Sequence, residues 1–197
     1  MENSQVLVDI IFPRSKKIIS RGLLLNIILV LSFSFLTALS SKLKIEIGAV
    51  PITGQTLLVL LSGILLGSSR GALSQLTYLV FGLLGLPLFA RGGGIQYILS
   101  PTFGYIIGFV FASFLVGKLA EKGYDKSFKT SILAMVLGNI TIYVFGLFWL
   151  VRFIPAGSLL KVGLYPFLLG DAIKILIAGF SLPTLWKFIK KIKANSN

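Results

Sequence analysis

The chain has 197 residues, 55% of them apolar and only 13% charged, with 19 Lys+Arg against 6 Asp+Glu for a net charge of +13. A soluble domain carries about a quarter charged residues, so the composition excludes an ordinary soluble fold and implies an integral membrane protein. Cys and His are both absent, which removes disulfides, thiolate nucleophiles, imidazole bases and most transition-metal sites.

Residues 1–20 read as an N-terminal cytoplasmic or interfacial segment. Its apolar piece, VLVDIIF, is too short to span a membrane and is expected to lie on the surface. A spanning helix needs about 20 mostly apolar residues. Six runs meet that need, at 22–41, 51–67, 71–90, 101–118, 130–150 and 164–183. The reading is an all-α membrane domain of six transmembrane helices over 21–187, followed by a basic cytoplasmic tail over 188–197. Pro51 and Pro101 stand where a first helical residue is expected, and Ser100 is placed to cap the fourth helix. Pro87 and Pro183 mark ends or kinks of the third and sixth. Trp186 belongs at the headgroup level.

Basic residues set the orientation. With the N-terminus inside, thirteen of the 19 Lys+Arg face the cytoplasm, among them Arg14, Lys16, Lys17, Arg70 and Lys122. Lys42, Lys44, Arg91, Arg152 and Lys161 face outward, and Lys174 stays in the membrane. That bias puts both termini in the cytoplasm of a multi-pass protein of the cell membrane. The basic residues lie between apolar runs and form no stripe interleaved with aromatics, so their partner is membrane lipid and not nucleic acid.

Asp171 and Lys174 raise the first chemical question. Their spacing sets them on one helix face, about 5–6 Å apart at Cβ. Each charge at mid-bilayer costs at least about 2.5 kcal/mol. Either they neutralise each other and lock two helices, or they line a polar cavity that holds a ligand. Ionised Asp171 offers only acceptors and Lys174 only donors, so a ligand with N–H donors and a carboxylate would satisfy both.

Three further motifs carry polar atoms. VPITGQT (50–56) brings Thr53, Gln55 and Thr56 into a wall of leucines. Thr53 can cap the helix, and Gln55 is expected to face the bundle interior, because a lipid-facing amide is costly. ARGGG (90–94) is either a mobile loop whose N–H groups cradle an anion beside Arg91, or a tight turn. Tyr97, Phe103 and Tyr105 after it form either an aromatic lid or an interfacial belt. In GNITIYVFG (138–146), Asn139 and Tyr143 share a helix face. They bind another helix or a ligand.

Ser34 with Ala38, and Gly104 with Gly108, form small faces that admit a close helix, from this chain or from a second membrane subunit. No P-loop, H-E-x-x-H or G-x-S-x-G motif is present, which argues against an ATPase or a hydrolase.

Together VPITGQT, GLLGLPLFARGGG, SPTFGYIIGF and GDAIK resemble the BioY family, the biotin-specific substrate-binding subunits (S components) of energy-coupling-factor (ECF) transporters. The resemblance runs over about residues 33–182. It implies a six-helix membrane fold that binds biotin near its outer face, without cofactor or metal and without enzymatic activity. It also implies a transmembrane coupling subunit and two cytoplasmic ATPase subunits as partners. Mapped onto this sequence, biotin contacts fall on Asp171, Lys174, Thr53, Gln55, Arg91 and Tyr105, and a docking face for the coupling subunit on Ser34 and Ala38. The ureido ring of biotin offers two N–H donors and a carbonyl. Asp171 can accept from an N–H, while Lys174 can pair with the carboxylate or donate to the carbonyl. The same architecture with another vitamin, and a lipid-modifying membrane enzyme, are the alternatives.

Overall fold

Each of the six apolar runs contains a helix, but the helices are unequal. The computed structural model describes residues 6–11, 19–46 and 48–195; Arg14, Lys16 and Lys17 lie outside them. Among the described residues the chain forms α1 (Leu7–Ile11), α2 (Ile19–Lys42), α3 (Gln55–Leu66), α4 (Ser68–Leu83), α5 (Phe103–Glu121), α6 (Phe128–Leu150), α7 (Leu159–Gly163) and α8 (Tyr165–Asn195). A small antiparallel hairpin joins α2 to α3, with β1 (Lys44–Ile45) facing β2 (Ile52–Thr53).

Four segments are long and apolar enough to cross a membrane: Gly22–Lys42, Phe103–Glu121, Phe128–Leu150 and Ala156–Ile189. At about 1.5 Å per residue, the 12 residues of α3 and 16 of α4 reach roughly 18 and 24 Å, short of a hydrocarbon core about 30 Å thick. The second run loses its first turn to β2, so Pro51 enters a strand and not a helix. The third ends at Leu83, ahead of Pro87.

The bundle is apolar outside as well as inside. On α2, Leu23, Ile27, Leu31 and Phe35 are exposed, and on α8 so are Leu169, Ile173, Ile177 and Phe180. Such faces suit lipid, where the backbone polar groups are satisfied within each helix.

Close backbone contact joins α3, α4 and α5. Gly67, at φ +85°, turns the chain directly from α3 into α4. A Cβ on Gly63 would stand 2.2 Å from the Ser113 carbonyl oxygen, and one on Gly117 2.4 Å from the Ser68 nitrogen. Only glycine permits that approach. Beside it, the fully buried Gln75 amide donates to Thr37, Ser62 and Ser74. Gly104 and Gly108 face Phe145, Trp149 and Ile142 of α6, so that small face serves packing within the chain.

Several expectations change. The N-terminal piece does not lie on the surface: Val6, Leu7 and Val8 are buried and Asp9 pairs with Arg70 at 2.9 Å. Ser100 gives α5 no side-chain cap; its carbonyl accepts instead from the Trp149 indole at 3.0 Å. The sixth helix does not stop at Pro183. It continues to Asn195 through the proline, and the next residue, Thr184, donates its hydroxyl to the Phe180 carbonyl at 2.8 Å.

Candidate functional site

The first turns of α3 and α8, the start of α5 and the later half of α6 converge on one cavity. Most of its wall is apolar or aromatic. Tyr105, Tyr143 and Phe167 form a triangle with ring centroids 6.4–6.5 Å apart. Ile106, Phe109 and Ile142 continue it, and Tyr97 and Thr102 stand at its side.

The polar end is built around Asp171, which is only 4% exposed. Its Oδ1 accepts from Lys174 Nζ at 3.1 Å and from the Thr56 hydroxyl at 3.1 Å. Its Oδ2 accepts from the Tyr143 hydroxyl. Lys174 Nζ also donates to the Thr53 carbonyl at 2.9 Å and to Thr56 Oγ1 at 2.8 Å. The ammonium has three donors and all three are engaged; the carboxylate has about four acceptor sites and three are used. Asp171 therefore retains capacity for one more donor at Oδ2, while Lys174 is saturated. The two readings of this pair are both realised. It is a close ion pair, and it lines a void.

Six of the expected site residues, Asp171, Lys174, Thr53, Gln55, Tyr105 and Tyr143, line this cavity. Gln55 is buried and donates to the Tyr78 hydroxyl at 2.6 Å. Tyr105 donates to the Gly163 carbonyl at 2.8 Å, which fixes the end of α7 against α5.

The other four stand elsewhere. Asn139 is buried one turn of α6 below Tyr143, does not line the cavity, and its Oδ1 has no hydrogen-bond partner among the described residues. Arg91 points away to the β1–β2 loop, where it donates to Glu46 Oε2 at 2.5 and 3.1 Å and to the carbonyls of Gly48 and Ala49. Ser34 and Ala38 are buried within this chain's own bundle, so their small face is already occupied.

The glycine run is an ordered turn and not an anion cradle. The amides of Gly92 and Gly94 are spent on the Phe89 and Gly82 carbonyls, and Gly92 and Gly94 take φ of +120° and +100°. Of the three aromatics beside it, Tyr97 and Tyr105 reach the cavity, whereas Phe103 packs on Trp149.

Two loops cover the cavity. Val50 and Pro51 come from the α2–α3 connection and Ala90 from the α4–α5 connection. They are tied together by Arg91 on Glu46, and by Lys42 Nζ on the carbonyls of Pro87 and Phe89 at 2.6 and 2.9 Å. The Arg91 and then the Lys44 hydrogen bonds hold the Glu46 carboxyl well below the usual range, at about 2.

Sequence reasoning raised Thr56 and Tyr97 without placing them among the ligand contacts, and it left out Thr102 and Phe167, all four of which line the cavity. Thr56 bridges both ions although 115 positions separate it from Asp171. Its place in VPITGQT, one residue beyond Gln55, was the available signal.

The BioY family model matches residues 14–191. A probable biotin transporter BioY of Lysinibacillus sphaericus is 43% identical over 60% of this chain and 61% of its own length. The aligned region thus spans under two thirds of that relative. A probable biotin transporter BioY of Pyrococcus horikoshii is 40% identical over 74% of this chain and 86% of its own length. The biotin transporter BioY of Thermotoga maritima is 37% identical over the same shares. Among solved structures, the S-component for biotin from an ECF-type ABC transporter superposes with a TM-score of 0.75 at 28% identity, covering 86% of this chain and 95% of that one.

Proposed function

The chain belongs to the BioY family, and we propose that it is the substrate-binding S component of an ECF-type transporter, capturing biotin for uptake through the cell membrane. The observation that carries this reading is the buried Asp171–Lys174 pair beside an aromatic cavity. Biotin places a planar ureido ring with two N–H donors next to an apolar thioether ring. The open acceptor site on Asp171 Oδ2 suits one of those N–H groups, and the Tyr105–Tyr143–Phe167 triangle suits the ring. Lys174, whose donors are all engaged, then acts by holding Asp171 ionised and oriented.

The six helices α2 to α6 and α8 are read as crossing the membrane, with both termini inside and the cavity toward the outer face. The short α3 and α4 reach the bilayer surfaces with help from the loops at their ends. The unit is the membrane domain over 21–187, with the segment 1–20 and the basic tail 188–197 on its cytoplasmic side. The chain carries no P-loop, so energy must come from elsewhere. A transmembrane coupling subunit and two cytoplasmic ATPase subunits supply it on this account.

Isothermal titration of the purified chain tests the ligand. Biotin is expected to bind one to one at micromolar concentration or below, and riboflavin and thiamine to leave the signal unchanged. Binding of either of those in place of biotin would move the chain to another vitamin.

The loop latch has its own consequence. Because Arg91 and Glu46 tie the two loops that cover the cavity, Arg91→Ala and Glu46→Gln should each speed biotin release. An exposed pair of this kind supports an effect of about twofold to fivefold. Chase kinetics with labelled biotin measure it. The pH dependence has a definite sign. The Glu46 carboxyl is held below its ordinary value of 4.5, at about 2. The latch is therefore complete above the ordinary value and is lost only as pH falls toward the lower one. Release should be flat between about pH 8 and 5 on that account.

A further inference from the structure

The end of the bundle remote from the cavity carries a charge pattern that biotin capture leaves unused. Three carboxylates stand there among the described residues, and each has a partner within the fold. Asp9 pairs with Arg70. Glu121 accepts from the Ser68 amide and hydroxyl at 2.8 and 2.6 Å and from Lys118 at 3.1 Å. Asp125, only 1% exposed, accepts from the Trp186 indole at 2.6 Å. The exposed surface is left to lysines: Lys122, Lys126 and Lys129 around the α5–α6 turn, and Lys187 and Lys191 on the last turns of α8.

Two contacts join these into one face. The Trp186–Asp125 hydrogen bond pins α8 to the α5–α6 turn, and Lys126 Nζ lies 4.9 Å from the centre of the Trp186 ring. The rings of Phe128 and Phe180 meet at a tilt of 38° one level deeper, with centroids 4.4 Å apart. Beside the lysines, Leu185, Phe188 and Ile192 are exposed on α8. The 31 residues of α8 extend roughly 46 Å, so its last turns emerge beyond a hydrocarbon core about 30 Å thick.

From this juxtaposition we propose that the α5–α6 turn and the end of α8 form a binding face for acidic lipid headgroups. The lysines meet phosphate, and Leu185, Phe188 and Ile192 reach the acyl boundary. An acidic soluble protein would match the lysines but leave that apolar edge uncovered. The pairing of a basic cluster with an apolar flank is what an anionic membrane surface recognises. Trp186 and Asp125 act as positioning residues that keep the two halves of the face together. The inference rests on the proposed membrane placement and not on the identity of the vitamin.

The test is the thermal unfolding midpoint of the full chain in neutral detergent, with phosphatidylglycerol or phosphatidylcholine added. Phosphatidylglycerol should raise the midpoint by several degrees more than phosphatidylcholine, and high salt should abolish the difference. Replacing Lys122, Lys126, Lys129, Lys187 and Lys191 together by Gln should remove the difference, and replacing them by Arg should retain it. Equal midpoints in the two lipids, or a difference that survives in the Gln variant, overturn the proposal. So does an equal rise with soluble polyglutamate, which would assign the face to an acidic protein. If the Gln variant does not fold, the salt dependence of the unaltered chain decides. The readout needs no biotin, so it succeeds or fails independently of the titration above.

Discussion

Replacing Asp171 by Asn is expected to weaken biotin binding by about 1.5–3 kcal/mol, or roughly 10-fold to 150-fold in Kd, because the charged acceptor that meets the ligand's N–H is lost. The change keeps the size of the side chain and one oxygen. It removes the acceptor that faces the Tyr143 hydroxyl and the open side of the cavity, or else the one that holds Lys174 and Thr56. Either way the ligand meets a neutral group that must also find a place for an amide NH₂. The fold should lose much less, since Lys174 keeps the Thr53 carbonyl and Thr56 hydroxyl as partners. Titration of the variant beside its unfolding midpoint separates the two. Full-strength binding, or a fall in stability as large as the fall in affinity, would make the pair a helix lock only.

Gly63→Ala should damage the fold rather than the site. The added methyl would stand 2.2 Å from the Ser113 oxygen, 3.0 Å from its carbonyl carbon and 3.1 Å from the Gly117 nitrogen. All three atoms are backbone, so no side-chain rotation relieves the clash, and α3 must move off α5. Overpacking of this kind costs about 1–3 kcal/mol or more, and for a chain of this length about 3 kcal/mol lowers the unfolding midpoint by roughly 6–12 °C. Gly170→Ala is the control. Nothing lies within 4 Å of its added methyl, and alanine is the better helix former by about 1 kcal/mol. Its midpoint should hold or rise. An unchanged midpoint in Gly63→Ala would mean the α3–α5 contact is looser than described.

These two sites differ in how far the sequence exposes them. Asp171 and Lys174 stand out because two ions sit three residues apart in an apolar run, and helical spacing alone puts them together. Gln55 follows from the cost of an amide facing lipid, and Tyr143 from sharing a helix face with Asn139. What surrounds them comes from tertiary structure. Thr56 meets the ion pair only because α3 begins late, after a strand that the apolar run conceals. Arg91 sits beside glycines that suggest an anion site, yet its partner is Glu46, delivered by a hairpin of two-residue strands with little periodicity to read. Ser34 and Ala38 present a small face, and spacing does not tell whether the helix it admits belongs to this chain or another. Here it is this chain's. The buried Val6, Leu7 and Val8 were legible as apolar but too few to predict a docking place.

The central claim is that Asp171, held by Lys174, Thr56 and Tyr143, receives a donor from the ureido ring of biotin. A crystal structure of the chain grown with biotin measures this directly. The account predicts the ureido ring against Asp171 Oδ2, flanked by Tyr105, Tyr143 and Phe167 and covered by Pro51 and Ala90. Biotin bound outside this cavity, or within it with the ureido group turned away from Asp171, would contradict it.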